Sequence, residues 1–366
     1  MEMNEKSYFP LSCMYAIIWD KQMICILAGI YFEARFTNSI GGSMREFTIQ
    51  ENDAGQRLDK FLTKAVKRLP QSMLYKGIRL KRIKVNGKRC QPNQMLQQGD
   101  RIALYINDEF FEYKPSLPFL DAPSSIAVVH EDANILLVDK PCGLVVHEDN
   151  DNTVDTLIHR VQHYLYEKKE YNPAKEASFS PALCNRIDRN TCGIVIVAKT
   201  AEALRVMNEK IKHRELTKRY LCVVHGKMPK THDLLTGYLF KNSADNLVTV
   251  ADKPFAGAKK IQTEYHVVDV RGDYSLLDVN LLTGRTHQIR AHLAHIGHPI
   301  LGDGKYGINR ADKKLGYKYQ ALCSYRLSFD FQTDAGALNA LKGRSFELKQ
   351  IWFRDDFYDG RLSSGI

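Results

Sequence analysis

The chain has 366 residues, 44% hydrophobic and 26% charged, enough apolar material for two domains with ordinary cores. Eight cysteines lie scattered with no Cys-x-x-Cys pair, which argues against a disulfide framework or a zinc ribbon and suits free thiols in a reducing cytoplasm; no apolar run reaches about 18 residues, so no membrane-spanning helix is expected. A formal net charge of +10 and a pI near 9.0 point to a polyanionic partner, nucleic acid above all.

Residues 1–43 lack a domain pattern. They read as an extension outside the folded domains, disordered or arising from an upstream start codon. The pattern begins at Met44. Residues 45–50 alternate as a strand does. From Arg57, the apolar residues Leu58, Phe61, Leu62, Ala65, Val66 and Leu69 recur at helical spacing until Pro70 ends the helix. A second helix is predicted over 71–81, then a strand from Ile83 into an Asn86-Gly87 turn, then a strand over 101–106. Between residues 56 and 105, 13 Lys/Arg stand against 2 acids, Asp59 and Asp100, so the rest of the chain is close to neutral. The electrostatic footprint belongs to one small α/β module, residues 44–108. The runs Arg57-Leu58-Asp59-Lys60-Phe61-Leu62, Ile83-Lys84-Val85-Asn86-Gly87 and Gly99-Asp100 resemble the alpha-L RNA-binding module. That resemblance implies that Arg57, Lys60, Lys81, Arg82, Lys84 and Lys88 contact RNA phosphates and position the RNA without reading its sequence.

Residues 109–125, with Pro115, Pro118 and Pro123, read as a linker. A second domain, 126–366, follows. Strands are expected at 126–130 and 135–139, a helix over 153–166 with Thr153 as a cap, and a polar loop over 167–180. A helix over 200–214 precedes strands at 220–224, 263–270 and 274–282. Strands and helices mix without regular alternation, which predicts an α+β fold around a mixed, largely antiparallel sheet.

Chemistry concentrates in a few segments of this second domain. In Asn185-Arg186-Ile187-Asp188-Arg189-Asn190-Thr191-Cys192-Gly193 an acid sits between two arginines, just ahead of an apolar strand. Nearby cations favour the ionised form of such a carboxylate, ready to serve as nucleophile or base. Tyr220 leads the run Lys218 to Gly226, where it either presents its ring to a planar base or is a half-buried core residue. Thr283-Gly284-Arg285-Thr286-His287-Gln288-Ile289-Arg290-Ala291-His292 carries a polar run through a turn into a helix whose N-terminus suits phosphate. A glycine-rich loop spans 297–307. His287, His292, His295 and His298 invite a metal, but no cysteine is near and Asp303 is the closest acid, so no metal is expected. No P-loop or dinucleotide fingerprint occurs, which disfavours a nucleotide cofactor.

Together Asp139-Lys140-Pro141-x-Gly143, Arg186-x-Asp188-Arg189-x-Thr191-x-Gly193, Tyr220, Gly284-Arg285-Thr286-His287-Gln288-Ile289-Arg290 and Gly297-His298-Pro299 resemble the RluA-type family of pseudouridine synthases, in the family's order. Asn185 and Cys192 depart from the family's usual His and Ser. The resemblance implies isomerisation of uridine to pseudouridine in RNA, without cofactor. It maps the catalytic aspartate onto Asp188, the active-site tyrosine onto Tyr220 and the active-site arginine onto Arg290, with Arg285 the weaker candidate. Arg186, Arg189, Arg285, His287 and Gln288 are expected to contact the RNA. Family analogy points to large-subunit (23S) ribosomal RNA; no coiled-coil seam appears, so a monomer is expected, and the scattered cysteines suit a cytoplasmic location. The alternatives are transfer RNA as substrate, or an RNA-binding ribosome-assembly factor whose catalysis is dispensable.

The concentration of charge makes a first prediction. Deleting residues 44–108 should weaken RNA binding more than it slows reaction on saturating substrate, and should flatten the dependence of log affinity on log salt. Filter binding across a salt series tests this; unchanged affinity would remove the module from RNA recognition.

Overall fold

The computed structural model describes residues 44–112, 117–148, 153–242, 247–307 and 309–359, together with two short backbone stretches near the N-terminus. Those stretches, β1 (Ala16–Trp19) and β2 (Gln22–Cys25), pair antiparallel. The remainder of the predicted extension 1–43 lies outside the described residues. The chain divides into two compact units, Met1–Lys114 and Pro115–Ile366.

In the first unit, β3 (Met44–Thr48), α1 (Leu58–Ala65), α2 (Gln71–Arg79), β4 (Ile83–Val85), β5 (Lys88–Arg89) and β6 (Arg101–Tyr105) follow in order. The strands form one sheet in the order β3-β6-β4-β5. Leu58, Phe61 and Leu62 of α1 and Leu74 and Ile78 of α2 are buried, together with Ile83, Val85, Ile102 and Leu104 of the sheet. This is the apolar spacing read from the sequence. Asn86 and Gly87 both take positive φ (50° and 72°), the conformation of a tight hairpin turn.

The second unit is built on one eleven-stranded sheet. Its strands are β7 (Ala127–Glu131), β8 (Ile135–Lys140), β9 (Ala182–Leu183), β10 (Cys192–Ala198), β11 (Leu216–His225), β12 (His232–Asn242), β13 (Leu247–Ala251), β14 (Lys259–Arg271), β15 (Tyr274–Leu281), β16 (Leu322–Phe329) and β17 (Ser345–Glu347). The main path runs β13-β12-β14-β15-β11-β16-β10-β8-β7, with β17 on β16 and β9 on β10. Every pairing is antiparallel except β10 with β16, so the expected α+β fold with a largely antiparallel sheet is found.

Both faces of the central strands are covered. Along β10 the side chains alternate between two cores, Ile194 and Ile196 in one, Val195 and Val197 in the other. Burial on both faces explains an unbroken apolar run. The first core takes in α4 (Ala201–Lys212) and α7 (Trp352–Tyr358); the second takes in α3 (Leu157–Glu167) and α5 (Gln288–His295). α6 (Asn309–Lys314) follows the glycine-rich loop.

Local differences from the sequence reading have local causes. α3 is capped by Thr156, whose hydroxyl accepts from the His159 N–H, and not by Thr153. Thr156 is held back in extended backbone by pairing with Val145, which delays the helix. Within the segment read as a linker, Pro118–Asp121 forms a 3-10 turn, and Phe119 is buried against Tyr166 and Tyr171. β11 is twice the predicted length because it pairs with β15 and β16 on either side.

Gly193 sets the closest approach in the sheet. Its φ is +115°, and a Cβ there would lie 2.3 Å from the Ser324 carbonyl oxygen. Gly193→Ala should therefore destabilise the chain by about 2–4 kcal/mol and displace the loop before it, since both strain and clash fall on backbone. Gly87→Ala, with a positive φ but open space, should cost about 1–2 kcal/mol. Denaturant unfolding of the two variants checks the order; equal losses would mean the close approach is relaxed.

Candidate active site

Asp188 lies on the loop between β9 and β10, partly buried. The loop is tied at several points. Thr191 N–H donates to the Asp188 carbonyl at 3.1 Å, and the buried Gln320 amide donates to the Thr191 hydroxyl at 2.8 Å. Asn185, one of the two departures from the family pattern, accepts from the Ile196 N–H at 2.8 Å and so anchors the loop to β10. Cys192, the other, is buried, with its thiol 3.7 Å from the Leu322 carbonyl.

The Lys140-Pro141-Cys142-Gly143 loop grips the same segment from outside. Lys140 is fully buried and its ammonium donates to three carbonyls, Pro141 and Leu144 at 2.8 Å and Arg189 at 2.9 Å. Burial lowers its pKa to about 8, and the three carbonyls engage all three ammonium protons. Gly143 N–H also donates to the Arg189 carbonyl, and the Arg189 guanidinium returns a bond to the Gly143 carbonyl at 3.1 Å.

Arg290 comes from α5, 102 residues further on, and its Nη1 donates to Asp188 Oδ2 at 2.8 Å. Its other edge is held by Asp303: Nε to Oδ2 at 2.7 Å and Nη2 to Oδ1 at 2.9 Å. Asp303 is fully buried. Burial pushes its carboxyl up, but the Arg290 guanidinium holds it below the usual carboxylate range. The backbone N–H groups of Lys305 and Tyr306 donate to Asp303 as well. The guanidinium lies 5.2 Å from the centroid of the Tyr306 ring. His287 Nδ1 is 2.9 Å from the Tyr306 hydroxyl, and its Nε2 is 3.9 Å from Asp188 Oδ2. Burial holds the His287 pKa below its ordinary value against the pull of the Asp188 charge, so at neutral pH the ring is uncharged.

Tyr220 sits in β11 opposite Ser324 of β16, and Gly193 pairs with the same Ser324. One residue of β16 therefore brings the exit of the Asp188 loop beside Tyr220. Tyr220 is only 6% exposed, so the core alternative describes most of its surface, while the Asp188 charge acts on its hydroxyl. Burial pushes that phenol up to about 12, which keeps it protonated and a donor at neutral pH.

The other expected contacts divide. Arg186, Arg189 and Arg285 are exposed. Arg290, not Arg285, meets Asp188. Gln288 is buried, and its amide is used inside the protein: it accepts from Thr283 and the Arg285 N–H, and donates to Gln262 and Thr263. It ties the turn ahead of α5 and has nothing left for a ligand. His287, rather than a Ser or Thr, occupies the N-cap of α5, in left-handed backbone (φ 53°). His292, His295 and His298 are each hydrogen-bonded elsewhere, to Thr263, Asp252 and the His225 carbonyl. Asp303 and Tyr306 are the site residues that the sequence reading left without a role. Their Gly302-Asp303-Gly304-Lys305-Tyr306-Gly307 setting was the available signal.

In the first unit, Lys60, Lys81, Arg82 and Lys88 are exposed and Lys84 is half-buried over the Tyr105 ring. Arg57 is committed locally, its guanidinium gripping Asp59 at 3.1 and 2.6 Å; the buried Asp59 needs that cation. A pocket of about 370 Å³ is lined by Tyr75, Lys76, Arg79, Arg89 and Pro92 among others, a cationic concavity the reading did not single out.

A basic binding module and a domain that holds Asp188 against a buried arginine suit a protein that binds and modifies nucleic acid. The chain matches the family model of RNA pseudouridylate synthase over residues 134–295 and that of the S4 domain over residues 56–102. It is 36% identical over 293 residues to an uncharacterized RNA pseudouridine synthase of Mycoplasma genitalium, spanning 78% of this chain and 88% of that protein. It is 29% identical over 285 residues to ribosomal large subunit pseudouridine synthase C of Haemophilus ducreyi, spanning 76% and 84%. The solved structure of human RNA pseudouridylate synthase domain containing 4 shares the fold, with a TM-score of 0.51 at 21% identity over 65% of this chain and 93% of that one. The chain belongs to the RNA pseudouridine synthase family, isomerases that act on uridine in RNA.

The Asp303–Arg290 pair yields a pH-dependent prediction. A carboxyl held below its unfolded value contributes stability above about pH 4 and loses it as pH falls through the folded value. Asp303→Asn should cost about 3–5 kcal/mol at neutral pH, because it leaves Arg290 buried without its main counter-charge. The gap to wild type should narrow only below about pH 4. Denaturant unfolding across pH measures it; no gap at neutral pH would mean that the pair carries no stability.

Proposed function

We propose that this chain isomerises uridine to pseudouridine in large-subunit ribosomal RNA, with Asp188 as the reacting carboxylate. The observation that carries the reading is the Arg290–Asp188 contact at 2.8 Å, with Arg290 itself immobilised by Asp303. An oriented, ion-paired carboxylate beside a protonated phenol is what the reaction asks for. The nitrogen–carbon glycosidic bond breaks, the uracil rotates, a carbon–carbon bond forms to ring carbon 5, and the hydrogen from that carbon is released. Asp188 serves by attack on the sugar or by removal of a ribose proton; neither route changes oxidation state, so no cofactor is invoked. Arg290 keeps the carboxylate aimed. Tyr220 walls the pocket and donates from its hydroxyl. The target base leaves its stack to reach them. Arg186, Arg189 and Arg285 are available for the flanking phosphates, as are Lys60, Lys81, Arg82 and Lys88 of the S4 domain. The ribosomal substrate is supported by the relative named for the large subunit. A monomer working in the cytoplasm completes the reading.

The test is tritium release from ribosomal RNA labelled at uridine carbon 5, without added metal. Wild type should release label, and Asp188→Asn should release none above background. Tyr220→Phe should bind RNA within about twofold of wild type yet react at least about tenfold more slowly. Equal release by Asp188→Asn would remove Asp188 from the chemistry. Release from transfer RNA alone would move the substrate, and none from either RNA would favour an assembly factor.

A further inference from the structure

His232 on β12 and His266 on β14 face each other in register, with their rings stacked at 4.2 Å and 17°. Glu264, two residues before His266, lies on the same face of β14, and its Oε1 is 3.1 Å from His232 Nε2. Its other oxygen accepts from the Asn280 amide at 2.9 Å, across on β15. One potential ligand atom from each of His232, Glu264 and His266 lies within 4.8 Å of the other two. It is the one such grouping of three among the described residues. Thr263 and Tyr265 alternate with these positions and turn to the opposite face. There Thr263 bonds Gln288 and His292 of α5, and Tyr265 shares a core with Ile289 and Leu293. The cluster is therefore on the side of the sheet away from α5 and Arg290.

The geometry points to a divalent transition-metal site, zinc(II) the best fit, at His232, Glu264 and His266. Two imidazoles and one carboxylate are an established zinc donor set, with the fourth position left to water. Zinc bonds of about 2.0–2.2 Å need donor atoms about 3.3 Å apart. His232 and Glu264 already meet that spacing, and His266, exposed, has room to turn toward them. The Asn280 amide fixes one Glu264 oxygen and leaves the other toward His232, so the carboxylate is oriented. The Asn280 contact is the kind of outer hydrogen bond that aims a metal-binding carboxylate. Directly across from His266 on β15 is Asp278, which pairs with Arg219 at 3.1 Å. Bound metal would clamp β12 to β14, the strands that carry the α5 platform on their other face.

Zinc(II) titrated into the full chain in a non-chelating buffer should bind at one equivalent and raise the melting temperature. Cobalt(II) in its place should give the d–d absorption of nitrogen and oxygen ligation without thiolate charge transfer. His232→Ala and His266→Ala, both at exposed positions, should fold normally without metal and lose the one-equivalent binding. Asn280→Ala should retain binding but about tenfold weaker. Absence of saturable binding, binding unchanged in both histidine variants, or thiolate charge transfer at the first equivalent would overturn the site.

Discussion

Everything in the site hangs on one buried guanidinium. Arg290 has a carboxylate on each side: Asp303 grips two of its nitrogens and Asp188 takes the third. A cation this deeply buried is tolerable only when its donors are all used, and one paired below and capped by the Tyr306 ring cannot swing away from the Asp188 side. The partner that fixes Arg290 is fully buried, while Asp188 keeps a quarter of its side chain exposed. Structure is thus secured on the Asp303 side, and an oriented carboxylate is presented on the other.

The sheet makes that arrangement possible. The Asp188 loop leads into β10 and Tyr220 lies on β11, strands that do not pair with each other, so one strand has to join them. β16 does so by inserting between β10 and β11, making the single parallel pairing of the sheet over only two residues. Ser324 meets Gly193 on one side and Tyr220 on the other. A side chain at Gly193 would collide with Ser324 backbone, so the glycine is the condition for closing the sheet beside the Asp188 loop. Lys140 then stitches the loop to the end of β8 through three carbonyls.

The S4 domain works on a different scale. Its cations are mostly exposed, which suits sequence-independent attraction to phosphate; Arg57, held by Asp59, and Arg101, held by Glu46, are paired within the protein. The second unit balances 34 Lys/Arg against 30 acids, and Arg290 among its 14 arginines serves geometry. Attraction and chemistry are thereby divided between two parts of one chain.

Much of this was legible in the sequence. The helical spacing of Leu58, Phe61 and Leu62, the Asn86-Gly87 turn and the apolar run after Gly193 are local signals, and local backbone preference and burial answer to them directly. The motifs around Asp188, Tyr220 and Arg290 named the family. What the sequence could not decide was which polar residues would face one another. Gln288 and Arg290 sit two apart on α5, yet one is consumed tying a turn and the other reaches Asp188. Asp303 became the partner of Arg290, and His232 the neighbour of His266, through strand register and loop closure. A polar side chain has no periodicity of its own; its role is set by the partner that tertiary packing brings within about 3 Å, and for Arg290 those partners lie 13 and 102 residues away.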